Sequence, residues 1–242
     1  INNLPITNLY KQRSFNSKID TQLLYGDSYK ILKKYRGWNK VRIKKDGYIG
    51  YIKTIKLNKY IKPNFKVSSL KANLYKKPNQ KSKLKKIIPF ESRVRIKKKS
   101  KSFGRFGNYW IKYSDLKKIN HKNKDIFKNV KLFKNIKYLW GGKTFKGIDC
   151  SALVQVFFNQ NNRFCPRDSK DQEKFFKRKV KINNIKKNDL IFWEGHVAIA
   201  LSKNKLIHAY GPKKKVVIMD IKRTIERIKR TANLNVTSVR RV

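Results

Sequence analysis

The chain has 242 residues, of which 39% are hydrophobic, and its 63 lysines and arginines against 14 acidic residues give a net charge of +49. This length and hydrophobic content are sufficient for one to three small domains with real cores, which excludes a disordered polycation. The sequence holds no apolar run of about 20 residues, the length that predicts a membrane-spanning helix.

The first half of the chain consists of short alternating segments separated by Gly, Pro, Asn and Asp. Such segments predict strands, and their spacing predicts two small all-β barrels. The strands of the first barrel run over 23–53 and those of the second over 70–116, with linkers at 58–65 and 120–129. We therefore expect three domains, at 1–60, 66–118 and 119–242.

Both barrels resemble bacterial SH3-like domains, and the first does so more closely. Its segments GWNKVR (37–42) and DGYIGYI (46–52) carry the resemblance. The alternating apolar positions of these segments are those of strands with one buried face.

Cys150 lies in the segment YLWGGKTFKGIDCSALVQ (138–155), where a glycine-rich turn precedes an apolar run. We predict a helix over 151–161, apolar nearly all round and therefore central and buried. Cys150 would lie at its first turn, where unpaired N–H groups and the helix dipole lower the pKa of a thiol. The same N–H groups are suited to hold an oxyanion.

Two of the three histidines follow the cysteine and belong to a predicted hairpin. A strand over 189–195 precedes His196 in HVAIAL, and the turn SKNK leads to His208 in LIHAY. We expect His196 to act as the base for Cys150, with His208 orienting its ring. The alternative is that both are strand histidines held by local hydrogen bonds.

The segments DCSALVQ (149–155), PRDSKDQ (166–172), GHVAIAL (195–201) and LIHA (206–209) resemble the NlpC-type cysteine peptidases that cut bacterial cell-wall peptides. The resemblance implies a papain-like α+β domain, with Cys150, His196 and His208 as its catalytic residues. It also implies that Tyr138 stands beside the nucleophile and helps to form the oxyanion hole, although Tyr138 as an ordinary core aromatic is an equal alternative. Ala152 departs from the glycine that the family usually has there.

Six of the fourteen acidic residues lie between Asp149 and Glu194, where we place the chemistry. Asp149 and Asp168 are candidates for binding a substrate ammonium group, with Ser151 and Ser169 as further hydrogen-bond partners. The alternative is that both carboxylates cap helices, the second one over 169–176. The resemblance implies that Asp149 and Ser169 hold the free amino terminus of L-alanine.

Two barrels before an NlpC-type domain resemble the arrangement of peptidases in which the first barrel closes the active-site cleft. By this resemblance Tyr51 faces the substrate amine together with Asp149, whereas an ordinary place in the barrel is the alternative. Gln22 stands near the position where related barrels supply an acidic residue, so that contact is in question.

Together with the resemblance, these features predict a cysteine endopeptidase. It would hydrolyse the γ-D-glutamyl to diamino acid bond of short peptidoglycan peptides with a free N-terminal L-Ala. No metal or organic cofactor is implied, because the histidines and cysteines lack zinc-ligand spacing. Two alternatives remain: a non-catalytic protein that binds cell wall or polyanions, and an amidase or acyltransferase using the same Cys-His pair.

The lysines are scattered through every segment, which indicates solvated surface positions rather than a specific nucleic-acid site. Non-specific, salt-sensitive attraction to polyanions is expected from the charge. The start of the chain lacks the apolar core of a signal peptide. With Cys150 assigned to catalysis, Cys165 is left without a partner cysteine, which argues against a disulfide framework. We therefore expect a cytoplasmic protein, with a periplasmic or secreted one as the alternative if a leader preceded Ile1. The oligomeric state is open.

Overall fold

The structure is a computed structural model that describes residues 1–54 and 62–242. Two compact units are present, Ile1–Lys122 and Asn123–Val242, and the division between them lies inside the predicted linker 120–129. The end of the predicted first domain at 60, and residues 58–61 of the linker predicted at 58–65, lie outside the described residues.

The N-terminal unit begins with an antiparallel sheet in the order β2-β1-β5-β4-β3. Its strands are β1 (Ile6–Tyr10), β2 (Ile19–Leu24), β3 (Tyr29–Tyr35), β4 (Trp38–Ile43) and β5 (Ile49–Lys53). Alternate residues point into a core of Leu9, Leu23, Val41, Ile43 and Ile52, all fully buried. The period-two pattern of the sequence thus corresponds to one buried sheet face.

Two more sheets complete this unit, in the orders β10-β11-β12-β7-β8 and β13-β6-β9. Their strands are β6 (Phe65–Val67), β7 (Lys71–Tyr75), β8 (Lys83–Pro89), β9 (Arg93–Val94), β10 (Lys98–Ser100), β11 (Phe103–Phe106), β12 (Tyr109–Lys112) and β13 (Leu116–Lys118). The Arg93 N–H donates to the Tyr25 carbonyl at 2.8 Å. Gly26 is required there, because its φ is +86° and a Cβ would lie 2.2 Å from the Arg93 carbonyl oxygen.

The C-terminal unit has a six-stranded antiparallel sheet in the order β16-β21-β17-β18-β19-β20. Its elements in chain order are β14 (Lys143–Thr144), β15 (Gly147–Ile148), α1 (Cys150–Gln160), α2 (Ser169–Phe175), β16 (Lys179–Val180), β17 (Leu190–Trp193), β18 (His196–Ala200), β19 (Lys205–Tyr210), β20 (Lys215–Asp220), α3 (Ile221–Ala232) and β21 (Val236–Arg240). The short pair β14 and β15 forms a separate ribbon before α1.

Helix α1 packs against β18 and β19, and all eleven of its residues are buried. The prediction of a central buried helix is confirmed, with its start one residue earlier than expected. Among residues 1–54 and 62–242, no helix combines the length and apolar character that crossing a bilayer requires.

Candidate active site

Cys150 is the first residue of α1, and its side chain lies at the buried start of the helix with 6% of the residue exposed. Asp149 is the N-cap, and its Oδ1 accepts the Ala152 N–H at 2.8 Å. The sulfur receives hydrogen bonds from the backbone N–H groups of Val197 and Ser151. The thiol is therefore held between the helix start and β18, at Val197, the residue that follows His196 in the chain.

The sequence predicted a lowered pKa for this thiol, and the structure corrects that expectation. Burial raises the pKa of Cys150 to about 12, and the Asp149 carboxylate adds to the rise. The N–H groups of Val197 and Ser151 and the Arg167 guanidinium act in the opposite direction but do not outweigh burial. The resting nucleophile of the chain by itself is therefore a neutral thiol.

His196 and His208 are joined directly, with 2.9 Å between His196 Nε2 and His208 Nδ1. Strand β18 pairs antiparallel with β19 through Ile199 opposite Ile207 and Ala200 opposite Leu206. Continued toward the first residue of β18, this register places His208 diagonally across from His196 on the same sheet face. The predicted hairpin thus brings the two imidazoles into contact.

Met219 determines which nitrogen of each imidazole carries hydrogen. Its Sδ lies 3.4 Å from His208 Nε2, and a thioether sulfur can only accept a hydrogen bond. His208 Nε2 therefore donates, its Nδ1 accepts from His196 Nε2–H, and Nδ1 of His196 keeps a free lone pair. Tyr210 stacks on His208 with ring centres 4.6 Å apart and fixes the ring plane.

Both imidazoles are neutral at rest. Burial lowers the pKa of His196 to about 4. Burial, and then the neighbouring His196, hold the pKa of His208 well below its ordinary value. The site therefore presents a thiol and two imidazoles in their uncharged forms.

Arg167 is a site residue to which sequence reasoning gave no role. Its two terminal nitrogens donate to the two oxygens of Asp149, one at 3.0 Å, and a terminal nitrogen also donates to Ser151 Oγ at 2.9 Å. Its side chain is 2% exposed. The signal was present in PRDS, since a buried carboxylate at a helix start needs a cationic partner.

Asp149 has the capping role that the sequence left open as an alternative. Its oxygens accept from Ala152, Gly141, Ser151 and both terminal nitrogens of Arg167. Five donors occupy the roughly four lone-pair sites of a carboxylate. Its additional role as a ligand for the substrate amine stays a prediction.

Ser169 is buried at the start of α2, whereas the neighbouring Asp168 is exposed and its side chain makes no capping hydrogen bond. Gln172 of α2 donates to the Ser151 carbonyl at 2.9 Å, which ties the start of α2 to the start of α1. The structure thus brings Ser151 and Ser169 into one region around the two helix starts.

Tyr138 is half-buried near the thiol. Burial raises the pKa of its hydroxyl, and Cys150 and Asp149 raise it further. The hydroxyl therefore keeps its proton at neutral pH and is able to donate a hydrogen bond.

Tyr51 and Gln22 belong to the N-terminal unit. Tyr51 pairs with Tyr10 and Lys40 in the first sheet, and its ring centre lies 6.0 Å from that of Tyr35. Gln22 is 5% exposed and donates to Asn8 at 2.9 Å. The substrate-facing role of Tyr51 stays a prediction.

Comparison with known proteins identifies the families of two parts of the chain. Residues 135–232 match the NlpC/P60 family, and residues 9–57 match the bacterial dipeptidyl-peptidase SH3 domain. The fold and the site therefore define a peptidase-type hydrolase: the chain carries an NlpC/P60 domain of papain-like, mixed α and β content, preceded by an SH3 domain. The SH3 identity of the second β region stays a prediction.

Individual relatives extend the likeness beyond the single domain. The chain is 27% identical to the gamma-D-glutamyl-L-lysine dipeptidyl-peptidase of Bacillus subtilis (strain 168), over 86% of this chain and 77% of that protein. It is 39% identical to dipeptidyl-peptidase 6 of Lysinibacillus sphaericus, over only 30% of this chain and 27% of that protein. The crystal structure of an NlpC/P60 family protein from Bacillus cereus ATCC 10987 has a TM-score of 0.84 at 20% identity, covering 99% of this chain and 97% of that one, which shows the shared fold.

Proposed function

We propose that this chain is a cysteine peptidase that hydrolyses the γ-D-glutamyl to diamino acid bond of short peptidoglycan peptides with a free N-terminal L-Ala. The observation that carries the proposal is the hydrogen-bonded pair His196 and His208 beside a cysteine at the start of a buried helix. The similarity to a relative whose name states the γ-D-glutamyl-L-lysine bond supports the choice of bond.

Attack on the γ-glutamyl carbonyl begins from neutral groups. As the Cys150 sulfur forms its bond to the carbonyl carbon, the thiol proton passes to Nδ1 of His196, which becomes an imidazolium. His208 accepts the hydrogen bond from His196 Nε2–H throughout, and so stabilises the charge that appears on the ring. Because both groups start uncharged, the proton is still on the sulfur when the substrate arrives.

The carbonyl oxygen becomes an oxyanion that needs donors. The Cys150 N–H, in the first turn of α1, has no acceptor within the helix, and the protonated Tyr138 hydroxyl is a second donor. Collapse of the tetrahedral intermediate breaks the amide bond, and His196 gives its proton to the leaving amine. Water then attacks the thioester with His196 as base, which releases L-Ala-γ-D-Glu and restores the thiol.

Recognition of the substrate amine is assigned to the region around the starts of α1 and α2. Asp168 and Ser169 belong to the start of α2, which the hydrogen bond from Gln172 to the Ser151 carbonyl ties to the start of α1. Asp149 contributes negative charge there, and Tyr51 of the SH3 domain is the further contact that we propose. A carboxylate and hydroxyl oxygens are suitable acceptors for an ammonium group.

The test is hydrolysis of L-Ala-γ-D-Glu-L-Lys and of the corresponding diaminopimelate tripeptide, followed by release of the dipeptide. Cys150→Ala is expected to abolish release while the unfolding temperature stays close to that of the native protein. Cys165→Ala is the matched control, since Cys165 is also buried, at 1% exposure, but is remote from this chemistry in the proposal. Release by the Cys150→Ala variant would reject the mechanism, and no release by the native protein would reject the function.

We propose a cytoplasmic location for this reaction, in the recycling of wall peptides. Both cysteines are present as thiols, as expected in a reducing compartment. Fractionation of cells that produce the full-length protein tests this, and activity confined to the periplasmic or secreted fraction would contradict it.

A further inference from the structure

A pocket of about 490 Å³ adjoins His196 on the side of α3. Tyr138, His196 and Tyr210 line it together with Arg227 and Ile228 of α3. None of the residues assigned to the substrate amine lines this pocket. It is therefore separate from the acyl side of the site.

The position of His196 identifies what this pocket receives. In the proposed mechanism His196 gives its proton to the leaving amine, so the leaving residue lies next to the imidazole when the bond breaks. The pocket at that imidazole is the space available to the leaving residue. Its lining combines apolar side chains, such as Ile228 and Leu234, with the charged groups of Glu194 and Arg227.

Arg227 is the unusual member of this lining. Its Nε is buried and has no hydrogen-bond partner, and no ion pair within 4.0 Å joins it to Glu194 among the described residues. A buried guanidinium N–H without an acceptor is uncommon in folded proteins. Arginine recognises carboxylates through paired N–H donors, so a carboxylate in the pocket would supply the missing acceptor.

We propose that Arg227 binds the free α-carboxylate of the leaving diamino acid and thereby selects substrates in which that residue is the C-terminal one. This inference rests on the proposed function and adds a residue that determines substrate specificity on the leaving-group side of the scissile bond. A peptide that continues beyond the diamino acid has an amide in place of this carboxylate. The guanidinium then meets a neutral acceptor, and the preference for the shorter peptide follows.

The general charge of the protein must be separated from this specific contact, because a net charge of +49 attracts any carboxylate. Arg230 provides the matched control. It lies on the same helix and is exposed. It lines a neighbouring pocket that Arg227 also borders, but it does not line the pocket that contains His196. Arg227→Gln and Arg230→Gln remove the same charge, so the long-range attraction changes equally in both.

The experiment compares L-Ala-γ-D-Glu-L-Lys with the same peptide carrying a C-terminal carboxamide. We expect the native protein to have a kcat/KM roughly 10- to 100-fold higher for the free acid, the range that a charge-assisted contact supplies. Arg227→Gln is expected to lose this preference by becoming slower on the acid and not on the amide. Arg230→Gln is expected to keep it.

Arg227→Lys is the control for a folding defect, because it keeps the charge but not the paired donors. We expect it to retain only part of the preference for the free acid over the amide. Free lysine should inhibit the native protein more strongly than lysinamide does. Equal cleavage of acid and amide by the native protein, or an unchanged preference in Arg227→Gln, would overturn the inference alone. No cleavage of either peptide by the native protein would overturn the proposed function and this inference with it.

Discussion

Each of the two units contains a buried ion pair, and the two pairs serve different ends. In the N-terminal unit Lys45 lies between Asp27 and Glu91, at 2.7 Å from each. In the C-terminal unit Arg167 holds Asp149 at the start of α1. The first pair joins the turn after β2 to the turn after β8, whereas the second surrounds the candidate nucleophile. Burying charge costs free energy in both places, so the two clusters are best distinguished by the groups that each one positions.

The electrostatic balance is similar in the two clusters. Burial lowers the pKa of Lys45, but Asp27 and Glu91 outweigh it, so the pKa is raised overall and the ammonium stays charged. The Asp149 carboxylate likewise has a full set of donors. The N-terminal cluster has a second cation, since Arg93 Nε lies 3.4 Å from Glu91 Oε1. Removing Lys45 or Arg167 nevertheless leaves a buried carboxylate without its main cation.

The largest effect is expected from Arg167→Met. It leaves Asp149 buried without its cation and should lower the free energy of unfolding by about 3–5 kcal/mol. It should also lower kcat, because the N-cap that fixes the start of α1 loses its orientation. Urea denaturation and steady-state kinetics with the tripeptide measure the two losses. Normal turnover in the folded variant would show that the pair is structural only.

Lys45→Met is the counterpart in the N-terminal unit and should also cost about 3–5 kcal/mol, since it leaves the buried Asp27 without its cation and Glu91 with Arg93 alone. At temperatures where the variant is folded, we expect kcat to remain close to the native value, because Lys45 positions no group of the Cys-His site. A parallel fall of kcat would remove the distinction between the two clusters.

Stability in mild acid should depend on the C-terminal unit. His196 has a folded pKa lowered to about 4 and His208 one that is also lowered, against about 6.5 in the unfolded chain. Between pH 6.5 and 4 the unfolded state binds more protons, so the free energy of unfolding falls as the pH falls through this window. We expect the free energy of unfolding, measured by urea titration, to fall less from pH 7 to pH 4.5 in the double variant His196→Gln, His208→Gln than in the native protein.

The smallest effect is expected from Met219→Leu, which removes the acceptor of the His208 Nε2–H and leaves volume nearly unchanged. A thioether is a weak acceptor, so we expect kcat to fall only about three- to tenfold. Met219→Gln restores an acceptor oxygen and should recover part of the loss. Nitrogen chemical shifts of the two imidazoles report the tautomers directly, and unchanged shifts in Met219→Leu would contradict the assignment.

Several parts of the site were predictable because they depend on neighbours along the chain. The run after Cys150 is apolar nearly all round, which predicted a buried helix, and α1 is buried along its whole length. The turn between His196 and His208 predicted a hairpin, and β18 and β19 pair as its two strands. Local periodicity and turn chemistry were sufficient for both.

The thiol pKa was predicted wrongly for an equally physical reason. The sequence indicated the helix start, which lowers the pKa, but not the burial that raises it to about 12. Burial depends on every segment packed around the sulfur, including Val197 of a distant strand. The partners that Asp149 and His208 find on other segments, Arg167 and Met219, were likewise not assigned from the sequence.

The sequence by itself determined the kind of chemistry, since residue types and local periodicity place a cysteine at the start of a helix and two histidines on one hairpin. Only the tertiary structure decided the protonation states, the tautomers and the Arg227 pocket. These depend on distances between segments and on the exclusion of water, and neither is encoded in the order of neighbouring residues.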